Sequence, residues 1–272
     1  MELVSRYLLT FLLNSLWQIP IIAAIALLAR WLTRRGPAWH RHVICVAALV
    51  ASLLLPLASV RSIRRSEPVR LTIPADLTVA PARTSPAPQP AVAAPVRVAA
   101  SPIVLFPQNF AYVLLWLYAG FVAFRGALLA RAWIRTSRIR RSSEARAATP
   151  AVRRVWTRCA EALGVSHAEL RSSSTIPGPV TAGIRRPLVI LPDSLFVGAP
   201  DDVLSTAIGH ELAHIARGDF ASSLLYEFLY LPISFHPAAW LMRREIERTR
   251  EMACDELVTE RVMDANIYAR SI

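Results

Sequence analysis

Lysine is absent from this 272-residue chain: all 31 basic residues are arginine, against 19 acidic ones, for a formal charge of +12. Charge of that sign attracts nucleic acid, anionic lipid or acidic protein. Helix-turn-helix and zinc-finger spacings are missing too, and the arginines sit beside apolar runs, which favours the membrane and argues against direct nucleic-acid binding. Cysteine is scarce. Cys45, Cys159 and Cys254 form no C-x-x-C pair, so no structural zinc or redox motif is encoded, and each is expected as a small buried apolar residue. The N-terminus has neither the basic stretch nor the small-residue cleavage site of a secretory signal, so its apolar run reads as a retained anchor.

What is abundant is apolar surface. A hydrophobic fraction of 54% and a mean hydropathy of +0.39 exceed the usual values for soluble domains. Residues 7–32, 43–60 and 109–130 have the length and composition of membrane-spanning helices. Asn14 and Gln18 are the strongly polar interior residues of the first, Pro20 is expected to kink it, and Tyr112, Trp116 and Tyr118 in the third suit an interface. Arg30, Arg34, Arg35 and Arg41 lie between the first two spans, and Arg131, Arg135, Arg138, Arg140, Arg141 and Arg146 follow the third. The positive-inside rule places both segments in the cytoplasm and the N-terminus outside. Residues 61–108 then form an extracytoplasmic loop. Arg61, Arg64, Arg65 and Arg70 oppose that orientation, at lower density than the cluster after the third span. Residues 68–107 are rich in Pro, Ala and Val and read as an extended spacer.

From residue 131 to 272 the composition becomes that of a soluble domain. Apolar periodicity predicts a helix over 151–163, stopped by Gly164, and a short buried strand over 187–191. Pro200-Asp201-Asp202 leads into a second helix, expected over 202–216. That helix carries His210-Glu211-Leu212-Ala213-His214, an H-E-x-x-H pattern. Residues four apart share a helix face, so two imidazoles can reach one zinc ion while Glu211 is placed to take a proton from water. A solitary pattern of this kind also arises by chance, as histidines that bind nothing. Downstream, Glu247, Glu251 and Asp255 recur at intervals of four on a helix expected over 237–263. Each could be a third ligand, or a partner of Arg243, Arg244, Arg248 or Arg250 on a solvated face.

Gly209 through Ile215 with Arg217 and Asp219, then His236-Pro237 and Trp240, then Glu251-Met252-Ala253-Cys254-Asp255-Glu256, resemble the M56 peptidases. These are the antirepressor-type membrane metallopeptidases that include the beta-lactam sensor-transducers. The likeness extends to Asn14-Ser15-Leu16-Trp17 and to Gly183 through Pro192. The resemblance implies three transmembrane helices, a multi-pass location in a bacterial inner membrane, and a cytoplasmic α+β, gluzincin-like zinc domain in a mainly α protein. Its E-x-x-x-D element makes Glu251 the third Zn2+ ligand beside His210 and His214. It sets Asp255 behind them to orient a histidine, and leaves His236 a packing role. In the fold such proteases share, a substrate strand adds to an edge strand, here expected near residues 188–191.

His214 and Glu251 must then meet at one ion, so the apolar stretch between them cannot be a simple crossing. Pro232 and Pro237 are expected to bend it back, buried or along the membrane surface. In the sensor-transducers a further span and an extracellular sensor domain follow the zinc domain. This chain reaches Ile272 without an S-x-x-K motif, and residues 268–272 read as the start of another element, so the domain is either naturally short or truncated. The expected activity is cleavage of a cytoplasmic protein, a transcriptional repressor or the chain itself, with a homodimer allowed. Two alternatives stand beside it: a constitutive quality-control or processing protease, and a signalling scaffold with a vestigial zinc site. The short interval between His214 and Glu251 weighs against the first.

Overall fold

The computed structural model describes residues 2–65 and 108–271, and the expected spacer at 68–107 lies outside the described residues. Three long helices come first: α1 (Glu2–Leu32), α2 (Ala38–Arg65) and α3 (Gln108–Ser142). Each contains a stretch long and apolar enough to cross a membrane. All three outrun the expected spans. α3 continues past residue 130 to Ser142 because the arginine run there contains good helix formers and no breaker, and Arg140 and Arg141 complement the negative end of its dipole. α1 runs through Pro20 and α2 through Pro56 as continuous helices.

The remaining chain builds a small α+β unit: α4 (Pro150–Leu163), β1 (Glu169–Ser173), β2 (Val180–Ala182), β3 (Leu188–Pro192), the one-turn α5 (Asp193–Phe196) and α6 (Asp201–Arg217). Then come α7 (Asp219–Tyr230), a 3-10 turn (Leu231–Ile233), α8 (Pro237–Arg261) and α9 (Ala265–Ser271). Thr149 caps α4 by accepting from the Val152 N–H, with Pro150 at the first helical position. The buried face of α4, Val152, Val155 and Cys159, packs on Leu204, Ile208 and Leu212 of α6. Burying each such side chain contributes about 1.5–3 kcal/mol, which fixes the H-E-x-x-H helix against the core.

The sheet order is β1-β3-β2, with β3 parallel to β1 and antiparallel to β2. This corrects the expectation of an edge strand near 188–191. β3 is the central strand, and all five of its residues are buried. An unbroken apolar run is the mark of a strand covered on both faces, whereas half-buried strands alternate. The outer edge of β1 is bridged by Glu144, which exchanges two 2.9 Å backbone hydrogen bonds with Ser172. Among the described residues, β2 therefore carries the free edge.

The apolar stretch after α6 folds back on itself, as the connectivity argument requires. α7 descends along the long helices, the chain turns through Pro232 to His236, and α8 returns. Tyr230 and Ile233 pack with Phe11, Ile19 and Leu49, and Met242 packs with Ala23, Ala26 and Ala48. The Tyr118 hydroxyl donates to the Pro232 carbonyl at 2.9 Å. Arg243 ties α8 to α7 through Glu227 at 2.6 Å. At the tip, His236 accepts from the Ala238 N–H at 3.1 Å, capping α8, while its ring bonds the backbone of Leu16. Leu16 is the residue whose carbonyl Pro20 leaves without its i+4 donor. It lies roughly 24 Å along α1 from Leu32, so the hairpin tip packs far along the first candidate span.

The hairpin also fixes which end of the long helices carries the returning half of α8. Arg30 pairs with Glu245 at 3.2 Å, His42 Nδ1 lies 3.2 Å from the Thr249 hydroxyl, and Glu256 accepts from the Ala38 N–H at 2.8 Å. These rungs set that half against the arginine-rich connection between α1 and α2.

Candidate metal centre

α6 opens on Asp201 and Asp202, which complement its positive end, and closes at Gly218 in the left-handed region at φ 68°. His210 and His214, one turn apart, present rings 4.8 Å between centroids at 86°. α8 supplies the third group. Glu251 Oε2 lies 3.4 Å from His210 Nε2 and 3.6 Å from His214 Nε2. One donor atom from each of the three residues falls within 4.8 Å of the others. Two donors on a tetrahedral zinc at about 2.0–2.2 Å stand about 3.3–3.6 Å apart, so the spacing and the N,N,O donor set fit that ion.

The nitrogens turned away from this cluster are occupied. His210 Nδ1 lies 3.2 Å from Asp255 Oδ1, and His214 Nδ1 lies 2.8 Å from Asp219 Oδ2. Both contacts leave Nε2 as the free donor facing Glu251. Without a metal, burial disfavours the His214 cation, but Asp219, Cys254 and Glu251 outweigh it and push its pKa up to about 12. The two histidines hold the Glu251 carboxyl far below the usual carboxylate range, against its burial. Acidic and basic groups here compete for the positions a cation would take.

The three candidate acids on α8, Glu247, Glu251 and Asp255, divide. Glu247 takes the ion-pair role, 2.9 Å from Arg243, while Glu251 and Asp255 turn to the histidines. Arg250 holds the second oxygen of Glu251 through Nε at 3.1 Å and Nη2 at 2.8 Å. His236 stays at the hairpin tip, away from this cluster. Glu211 points to the sheet, where the Thr181 hydroxyl on β2 donates to its carboxylate at 2.6 Å. A small recess lined by Thr181, Ile184, His214, Ile215 and Phe220 opens between that strand and α7.

Three contributors were given no part in the site by the sequence, although Asp219 and Cys254 lie within the motifs. Asp219 is 5% exposed and gathers His214, Arg217 at 3.3 Å and the Cys254 thiol at 3.2 Å on one oxygen. Its signal was the Gly218 immediately before it, whose positive φ swings the next residue back under His214. Cys254 is buried and free, like Cys45 and Cys159, but it touches the site. Thr181 had no signal, because which residue of a three-residue strand faces a helix depends on pairing.

The family described as BlaR1 peptidase M56 matches residues 7–272. Regulatory protein BlaR1 of Bacillus licheniformis is 28% identical over 101 residues, which is 37% of this chain and 16% of that protein. Its namesake in Staphylococcus aureus is 26% identical over 105 residues, 38% of this chain and 18% of that one. The matched stretch thus spans less than a fifth of either relative.

Proposed function

The chain belongs to the M56 peptidase family, and we propose that it is a membrane-embedded, zinc-dependent endopeptidase with His210, His214 and Glu251 as ligands and Glu211 as general base. The observation that carries this reading is the meeting of the two Nε2 atoms and Glu251 Oε2 in one half-buried cluster. Zinc held there would supply Lewis acidity, acidifying water and polarising a peptide carbonyl near neutral pH.

The chain's own residues do the rest. Asp255 and Asp219 keep each Nδ1 protonated, so the Nε2 lone pairs converge. Glu211, steadied by Thr181, takes a proton from water and passes it to the departing amide nitrogen. A substrate strand pairs with the free edge of β2, its backbone hydrogen bonds setting register and an apolar side chain entering the recess beside Ile184 and Phe220. The zinc domain is cytoplasmic, on the side the positive-inside rule gives to the α1–α2 connection. The substrate is a cytoplasmic regulatory protein, such as a transcriptional repressor, or the chain itself, in keeping with the regulatory title of both relatives.

The test is Glu211→Ala in the detergent-purified chain. We expect wild-type zinc content with cleavage lost, measured on a co-purified repressor or on the chain's own fragments. Cleavage at the wild-type rate would remove Glu211 from this role. Zinc-loaded wild type that cleaves none of the proteins offered would favour the scaffold reading.

A further inference from the structure

Tyr268 stands on α9, outside every motif that marks the site. Its side chain is 6% exposed and packs in the core cluster with Ile208, Leu212 and Val258. The hydroxyl nonetheless leaves that apolar surround for the metal centre. It donates to Asp255 Oδ1 at 2.5 Å and lies 3.1 Å from His210 Nδ1. The same Asp255 oxygen is 3.2 Å from His210 Nδ1, so three atoms form a closed triangle.

We propose that Tyr268 is a positioning residue for His210, fixing both the Asp255 carboxylate and the imidazole tautomer. This inference rests on the zinc reading above. A phenol has one proton, and here Asp255 takes it, which leaves lone pairs facing His210 Nδ1. With acceptors on both Asp255 and Tyr268, Nδ1 must carry the hydrogen, and Nε2 is left bare toward Glu251 and His214. Asp255 is 42% exposed at its side chain and has room to turn toward water. The buried ring of Tyr268 anchors one end of the hydrogen bond that stops it. α9, through this hydroxyl, therefore adds to a site whose other parts lie on β2, α6, α7 and α8.

Outer partners of metal-binding histidines typically set affinity by about 10–100-fold, and a group acting one bond further out is expected to give about three- to tenfold. The experiment compares wild type, Tyr268→Phe, Asp255→Asn and the double variant as full chains in detergent. It measures zinc affinity by chelator competition and thermal unfolding of the metal-free form. Phenylalanine keeps the buried ring, so metal-free unfolding should stay at the wild-type temperature while zinc binding weakens about three- to tenfold. Tyr268→Phe should weaken binding less in the Asp255→Asn background than in wild type, because part of its effect passes through Asp255. Cobalt loaded into Tyr268→Phe should show a shifted visible spectrum from the altered His210 geometry.

Wild-type zinc affinity in Tyr268→Phe overturns the proposal. So does an equal loss with and without Asp255, which would make Tyr268 merely structural. Glu251→Ala separates the two levels. If folded wild type holds zinc and Glu251→Ala does not, failure of the Tyr268 prediction falls on Tyr268 alone. If neither holds zinc, the metal reading itself has failed.

Discussion

Replacing His236 tests how the α7–α8 hairpin is held. His236 makes two interactions at the tip: it accepts from the Ala238 N–H at 3.1 Å, and its ring bonds the backbone of Leu16. Losing an N-cap costs about 0.5–2 kcal/mol, and losing a side-chain hydrogen bond between membrane helices costs about 0.6–1.7 kcal/mol. His236→Phe keeps an aromatic ring of similar bulk but neither interaction, so the expected loss is about 1–4 kcal/mol. The second component depends on Pro20, which has no N–H for Leu16. Pro20→Ala restores that donor within α1, so His236→Phe should cost less in the Pro20→Ala background. Side-chain hydrogen bonds between membrane helices average about 0.6 kcal/mol and reach about 1.7, so a coupling of about 1 kcal/mol is expected. The assay is a double-mutant cycle on unfolding free energy in detergent, read by titration with a denaturing detergent. Additive effects would refute the account of His236 as the substitute donor for Leu16.

Asp219→Asn keeps the size of the buried acid but removes the charge that His214, Arg217 and Cys254 share. Zinc affinity should fall about 10–100-fold, which is about 1.4–2.7 kcal/mol, measurable by chelator competition. Thr181→Val removes the donor to Glu211, and turnover should fall about three- to tenfold with zinc retained, because a half-buried charged partner keeps part of its solvation. At Gly183, φ is 104° and an added Cβ would stand 2.6 Å from the Arg186 carbonyl. Gly183→Ala must therefore rearrange the β2–β3 turn, and limited proteolysis there should accelerate while cleavage activity falls.

The legible parts of this protein are those in which the signal is local. His210 and His214 declare themselves because both lie on one helix face within a turn. The α4 helix was legible from its periodicity and from the glycine that ends it, and α6 from its Pro200-Asp201-Asp202 lead-in. Glu251 could not be separated from Glu247 by spacing, since both occur on α8 at the same interval; only the motif distinguished them, and the fold decides the rest by which faces Arg243. The bend after α6 was legible as a constraint, because two groups bound for one site cannot lie across a bilayer from each other. Its depth was not, since that depends on Phe11, Ile19 and Leu49 on distant helices. The misplaced edge strand was a misreading of pattern: five consecutive buried residues in β3 announce a centre. Asp219 and Thr181 were hidden because their directions are set by a left-handed glycine and a strand pairing.

The measurement that bears most directly on the central claim is metal content of the detergent-purified chain by elemental analysis, for wild type, Glu211→Ala and Glu251→Ala. The account predicts about one zinc per chain in wild type and Glu211→Ala, and loss of the metal in Glu251→Ala with the fold retained. Folded wild type without zinc, or Glu251→Ala holding zinc as tightly as wild type, would contradict it.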